Sequence, residues 1–252
     1  MSSKDSPRGT GGQGGEGRVG EIVAGWTPAP RPDTSPGARM LEGRYVRLER
    51  LEITHAEGVF RANQTHDGLW TYLPYGPFAT LDAYRDWVAG QIDLADPCFY
   101  AIRDKATGLL GGVASYLRIF PEIGTIEVGH INLSPQLQRG RAATEAMILM
   151  MDWAFAHGYR RYEWKCDALN LPSRRAAQRL GFSFEGIFRQ ATIVRGRNRD
   201  TAWFAVIDKD WPALRAAYDA WIDPANFDER GRQLRSLSAL TAGVRVSSDP
   251  DL

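Results

Sequence analysis

Leu137-Gln138-Arg139-Gly140-Arg141-Ala142-Ala143-Thr144-Glu145 is the stretch that decides the fold of this 252-residue chain. It joins a run that alternates like a strand, Thr125 to Leu133, to the longest helical pattern, Arg141 to His157, which Gly158 closes at a C-cap position. The first amides of such a helix have no partners and point outward, so the junction is a ready cradle for a phosphate group. A small residue at 140 lets the backbone approach the anion, and the helix dipole favours it. Some ~30 residues on, a separation typical of one strand-crossover unit, stand Asn170-Leu171-Pro172-Ser173 and then Leu180-Gly181-Phe182.

Working outward, Tyr45 to Leu51 alternates as a strand, and Ala56 to Gln64 and Leu81 to Leu94 carry helical periodicity. Cys98 to Ile102 and Gly111 to Phe120 are strand-like, the second turning at Pro121-Glu122-Ile123-Gly124 into Thr125 to Leu133. Tyr162 to Asp167 is a short strand, and Pro172 to Leu180 a second helix with Pro near its first turn and Gly181 just past its end. Ser183 to Val194 and Thr201 to Ile207 flank the turn Arg195 to Asp200, an antiparallel hairpin. Asp208 then caps a last helix to about Ile222. This order predicts a mixed α/β (α+β) fold rather than a doubly wound one.

Lys plus Arg, 31, nearly balance Asp plus Glu, 30, which excludes a global basic field for nonspecific DNA binding. Cys98 and Cys166 lie in separate strand-like runs with no CxxC spacing, against a disulfide framework or a metal site. No apolar run approaches the ~20 residues that cross a bilayer, so a soluble, cytoplasmic protein is expected, with no membrane partner. Residues 1–39 read as a flexible Gly/Pro-rich extension on which Val23 and Trp26 are the docking candidates. Residues 40–223 read as one catalytic domain, and 224–252 as a polar, loosely held tail.

The residues resemble the GCN5-related N-acetyltransferase (GNAT) superfamily, most closely its ribosomal-protein alanine acetyltransferase-like (RimJ/RimL-type) branch. The likeness runs from about Leu41 to Ile222 and is densest in Glu127-Val128-Gly129-His130-Ile131, in Gly140 to Ala146 and in Asn170 to Phe182. It implies an acyl-CoA N-acyltransferase fold: a mostly antiparallel mixed sheet, splayed at its central strands, with helices on both faces. It also implies that main-chain amides of Gln138, Arg139, Gly140, Arg141, Ala142 and Ala143 wrap the pyrophosphate of acetyl-CoA. Arg139 and Arg141 add charge-assisted contacts to phosphates. Leu137 departs from the family's Gln or Arg at that position, and Ala142 replaces its second glycine.

By the same resemblance Asn170 holds the pantetheine arm or nearby backbone; the plainer alternative is an Asx turn before Pro172. Relatives often carry a Tyr acid where this chain has Ala177, which turns attention to Ser173 as donor to the departing thiolate, against a mere helix-capping role. Glu127 is the candidate base, on a strand whose parity places it with Ile131 and Leu133, the alternative being an Arg-paired structural carboxylate. His130 is the rival, on the opposite face unless a bulge intervenes. Direct attack by the amine is expected, with Cys166 a buried structural thiol and no metal.

Asp67, Trp70 and Tyr72, in an aromatic loop, are the candidate contacts for the amine acceptor; the alternative is a packed loop beneath the helices. A peptide N-terminus or small primary amine is the expected acceptor. The competing class is a non-catalytic acyl-CoA-binding or interaction module. Ribosome contact through Arg195, Arg197 and Arg199 is a third, weaker possibility, and a monomer or homodimer is expected.

Overall fold

The structure, a computed structural model, describes Gly20 and residues 22–252. The glycine-rich opening of the expected extension therefore lies outside the described residues. From Trp26 the chain is docked: the Trp26 indole donates to the Gly158 carbonyl at 3.0 Å, and Tyr159 donates to that of Pro30 at 3.1 Å.

Eight strands form one sheet: β1 (Met40–Glu42), β2 (Val46–Arg50), β3 (Cys98–Asp104), β4 (Leu110–Phe120), β5 (Thr125–Leu133), β6 (Arg161–Asp167), β7 (Ser183–Val194) and β8 (Arg197–Ile207). Their spatial order is β1-β2-β3-β4-β5-β6-β8-β7. Only β5 and β6 run parallel, as a crossover through α3 (Arg141–Ala156) requires, and they pair only from Thr125–Arg161 to Val128–Trp164. Beyond that point the strands part, leaving residues 129–133 on one lip and 165–167 on the other.

A bulge bends β5 at the parting. Gly129 pairs with Ser115 and Asn132 with Val113, so His130 and Ile131 together oppose Ala114. His130 takes a φ of +50° to achieve this. The bulge changes the parity along the strand: Glu127 shares its face with Asn132, not with Ile131 and Leu133 as a regular strand implies. Those two pack instead on the main core around Val128, Met147, Trp164, Phe182 and Phe204, beneath α3, α4 (Leu171–Arg179) and α5 (Trp211–Ile222).

On the other face α1 (Ala56–Asn63) and α2 (Leu81–Ala89) cover a second core of Leu51, Val59, Trp70, Tyr84, Phe99 and Val113. α2 stops at Ala89 rather than Leu94 because Gly90 caps it. The β7–β8 turn is also tighter than expected: Arg195 and Gly196, at φ +49° and +72°, make a two-residue turn, and β8 starts at Arg197.

The C-terminal stretch is the largest difference from the sequence reading. A short helix, α6 (Leu237–Thr241), buries Leu237 completely, and Asp249 makes a buried two-pronged pair with Arg174 at 2.7 and 2.6 Å. A tail that mixes Ser, Arg and Asp reads as loose because its apolar anchors, Leu237, Leu240 and Val244, and its partnered carboxylate are scattered among polar residues. A last tie joins α3 to the turn before β2: the buried Glu145 carboxylate accepts the amides of Arg44, Tyr45 and Val46 at 2.7, 2.6 and 3.0 Å. Gly43 is needed there, since a Cβ would fall 2.3 Å from the carboxyl carbon.

Candidate active site

The cradle forms where β5 leaves the sheet and α3 begins. Gly140 is the N-cap, extended at φ −85° and ψ 166°, and no side chain caps the helix. Among the described residues, the amides of Arg139, Arg141, Ala142 and Ala143 donate to nothing in the protein. Those of Gln138 and Gly140, expected in the cradle, are instead taken by the carbonyls of Ser134 at 2.9 Å and Leu137 at 3.3 Å. The Gln138 side chain also turns back, onto the Leu133 carbonyl at 2.8 Å. Four free amides at a helix N-terminus, in a turn that holds Arg139 at φ +59°, fit a diphosphate.

Leu137 explains its departure from the family pattern by packing. It is buried against Gly111, where a Cβ would meet the Leu137 Cβ at 2.9 Å, so the turn is anchored by an apolar plug. The Arg141 guanidinium lies between the rings of Tyr45 and Phe227, 4.7 Å from each centroid. Tyr45 is the residue fixed by Glu145, and Phe227 belongs to the C-terminal stretch.

Across the splay, the Asn170 carboxamide caps α4 by accepting the Ser173 amide at 3.2 Å. Asn170 therefore does the capping and leaves Ser173 free of it. The Ser173 hydroxyl accepts the Trp164 indole N–H at 2.9 Å, and its own proton faces the Cys166 sulfur. Burial pushes the nearby Cys166 thiol up to about 11, with the Ser173 hydroxyl opposing that shift. Cys166 is thus a protonated, buried thiol near neutral pH.

Glu127 is 2 % exposed, with one carboxylate oxygen 2.7 Å from Arg118 and the other 3.1 Å from Lys165. Lys165 also meets Glu163 at 2.6 Å and sits 3.9 Å above the Trp203 ring. Burial raises the Glu127 pKa from 4.5, and the two cations hold it back without cancelling the effect. The Arg-paired reading thus describes its resting state, while desolvation keeps it more basic than an ordinary carboxylate.

The bulge brings His130 to the same face. It stacks on Tyr75 at 5.6 Å, with Nδ1 3.2 Å from the Tyr75 hydroxyl. Burial first, then Arg118, lowers its pKa to about 4. Tyr75, Lys165 and Arg118 were missed from sequence; the Glu163/Lys165 alternation on β6 was the available signal for Lys165.

Of the three acceptor candidates, Asp67 and Trp70 line a cavity of about 320 Å³ with Asn63, Phe60 and Phe78. Trp70 is buried and meets the rings of Tyr75, Phe78 and Tyr84 at 6.2, 5.3 and 6.5 Å, so it serves the packed loop as well. Asn63 is buried with neither amide atom hydrogen-bonded. Tyr72 is not in that cavity; its hydroxyl donates to the Leu169 carbonyl at 3.1 Å, beside Asn170. The Arg195 guanidinium donates to the Gly76 carbonyl, so the loop touches the β6–α4 connection on one side and the β7–β8 hairpin on the other. Among the described residues no cluster of His, Cys, Asp and Glu could hold a metal, and no helix is long and apolar enough to cross a membrane.

A sheet split beside a helix N-terminus with free amides is an anion-binding cleft, and comparison with known proteins supplies its class. The family model for the acetyltransferase (GNAT) domain matches residues 46–183, and the chain belongs to this family of N-acetyltransferases. It is similar to a GCN5-related N-acetyltransferase from Brucella melitensis, at 46% identity over 86% of this chain and 99% of that one, with a TM-score of 0.82. A probable GNAT-family acetyltransferase from Chromobacterium violaceum is 38% identical over 84% of this chain and 100% of its own, with a TM-score of 0.71. At the level of fold alone it resembles RimL, a ribosomal L7/L12 α-N-protein acetyltransferase solved with coenzyme A: 23% identity, 67% of this chain, 98% of that one, TM-score 0.58. No curated protein matches.

Proposed function

We propose that the chain transfers an acetyl group from acetyl-CoA to a primary amine, a peptide N-terminus or a small amine, by direct attack within the β5–β6 splay. The observation that carries this reading is the alignment of the four free amides at the α3 N-terminus with the point where β5 and β6 part. Arg139, Arg141, Ala142 and Ala143 would hold the coenzyme's diphosphate, and Asn170 its pantetheine arm. The coenzyme supplies an activated acetyl thioester; the remaining steps belong to this chain's side chains. Glu127 takes the proton that the attacking amine loses, directly or through a water. Beyond Val128, β5 has no β6 partner, so its edge amides are placed to polarise a carbonyl. Ser173, whose oxygen already accepts the Trp164 indole N–H, donates a hydrogen bond to the departing thiolate, which takes its proton from solvent while Glu127 releases the amine's proton to solvent.

An α-amino group, titrating near ~8, needs little help from a base, whereas a lysine amine near ~10.4 needs more. A single carboxylate already engaged by two cations suits the former. Thiol release from acetyl-CoA, measured across free amines and short peptides, tests the proposal. Amine-dependent release is the expected result; tight coenzyme binding with none would favour a non-catalytic acyl-CoA module.

A further inference from the structure

Among the described residues, Arg199 stands in the cleft without a counter-charge. Arg199 lies on β8 in phase with Thr201 and Trp203, which pair with Asp167 and Lys165, so it is on the sheet face that carries Glu127. Its Nε is buried without a hydrogen-bond partner, and among the described residues the guanidinium makes no ion pair. Three other cations of this face are matched, Arg118 with Glu127, Lys165 with Glu127 and Glu163, and Arg161 with Glu163 and Glu185, whereas Arg197, at the hairpin end, is exposed to solvent.

Three carboxylates of the cleft and the hairpin are committed elsewhere. Asp96 accepts the amides of Arg118 and Ile119, Asp167 that of Leu169, and Asp200 the Gln190 amide and the Asn198 side chain. Arg199 is also placed to act in the cleft. After burial, its positive charge is among the causes that depress the His130 pKa, and it opposes the upward shift of the Cys166 thiol, so its field reaches both lips of the splay. A second orphaned donor, the buried Trp203 indole N–H, lies on the same strand face.

A buried guanidinium edge with no acceptor is costly unless something that visits the site completes it. We propose that the acceptor carries a carboxylate close to its amine, and that Arg199 is the residue that selects it. This rests on the acetyl-transfer reading above. Arginine suits the role because its fork offers a carboxylate two parallel N–H donors, fixing the amine's position as well as its charge. Two sources of the chemistry are available: a free amino acid, or a peptide whose residues near the N-terminus are Asp or Glu.

Matched acceptors separate these outcomes. Amino acids are compared with their amides, and short peptides with Asp or Glu against Asn or Gln near the N-terminus, in the unaltered protein and in Arg199→Gln and Arg199→Lys. The expected result is a preference in kcat/KM for the carboxylate-bearing member of one matched series. Arg199→Gln should lower that preference about 10- to 100-fold, mostly through KM, and Arg199→Lys should restore part of it. Transfer to amines with equal use of both members, or a preference that survives Arg199→Gln, overturns the assignment. Failure to acetylate any amine would instead sink the acetyl-transfer reading itself. Because the readout is a ratio between acceptors on one protein sample, partial misfolding of a variant does not imitate the effect.

Discussion

Arg141→Pro and Arg141→Ala, taken as a pair, isolate the contribution of one backbone amide to the coenzyme cradle. Proline is accepted at the first position of a helix, where the missing N–H has no intrahelical partner. It also restrains the residue before it to extended geometry, and Gly140 already sits at φ −85° and ψ 166°. The backbone therefore needs no rearrangement, and the loss of unfolded-chain freedom favours the proline variant by about 0.4–1 kcal/mol.

Both variants lose the guanidinium held between Tyr45 and Phe227, so their difference reports the amide alone. A hydrogen bond to a charged group contributes about 1.5–3 kcal/mol, equivalent to roughly 10- to 150-fold in affinity. We expect the Kd for coenzyme A, measured by isothermal titration calorimetry, to be weaker for Arg141→Pro than for Arg141→Ala by that factor. The proline variant should melt no lower than the alanine one. Equal affinities for the two would refute the claim that the α3 amides hold the diphosphate. A proline variant that is both weak and unfolded would refute the claim that the site accommodates it.

Other perturbations address the rest of the account. Glu127→Gln should lower kcat most above the Glu127 midpoint, where the unaltered carboxylate is a base and the amine still carries its proton, have little effect below it, and leave coenzyme Kd near its starting value. In the unaltered protein the rate should fall, as pH drops, through a midpoint above 4.5, because burial raises the Glu127 pKa and only the deprotonated form is a base. His130, depressed to about 4, would give a lower midpoint that survives Glu127→Gln, which is how the pH profile tells them apart. Ser173→Ala should slow thiol release on the order of 100-fold in rapid-quench measurements; a change confined to stability would reduce Ser173 to a partner for Trp164. Asp249→Ala removes the buried two-pronged partner of Arg174, which keeps Asp251 at 2.8 Å and the Ala168 carbonyl at 2.9 Å, and should cost about 1.5–3 kcal/mol of unfolding free energy, seen as a lower denaturant midpoint; an unchanged midpoint would mean the C-terminal stretch is only loosely attached.

The coenzyme side was legible in the sequence because its chemistry is local. The α3 N-terminus, its glycine and the Asn170 cap each follow from a run of a few residues. Even there sequence overcounted the cradle, since the Gln138 and Gly140 amides are claimed by carbonyls of the turn itself. The catalytic face was less legible because one extra residue in β5 reverses parity beyond Gly129, and nothing in the alternation announces it. The partners of Glu127 lie on neighbouring strands: Arg118 is across the β4–β5 hairpin turn, and Lys165 is reached only through the α3 crossover. Asp249 shows the same limit, for its burial depends on an arginine 75 residues earlier. The acceptor side was least legible, because Tyr72 contributes a bridge to Leu169 rather than a cavity wall.

A crystal structure with bound coenzyme A tests the central claim most directly. The account predicts the diphosphate within hydrogen-bond distance of the amides of Arg139, Arg141, Ala142 and Ala143, the pantetheine arm between β5 and β6, and the sulfur near the Ser173 hydroxyl. A diphosphate bound away from the α3 N-terminus, or an arm that does not enter the splay, would contradict it.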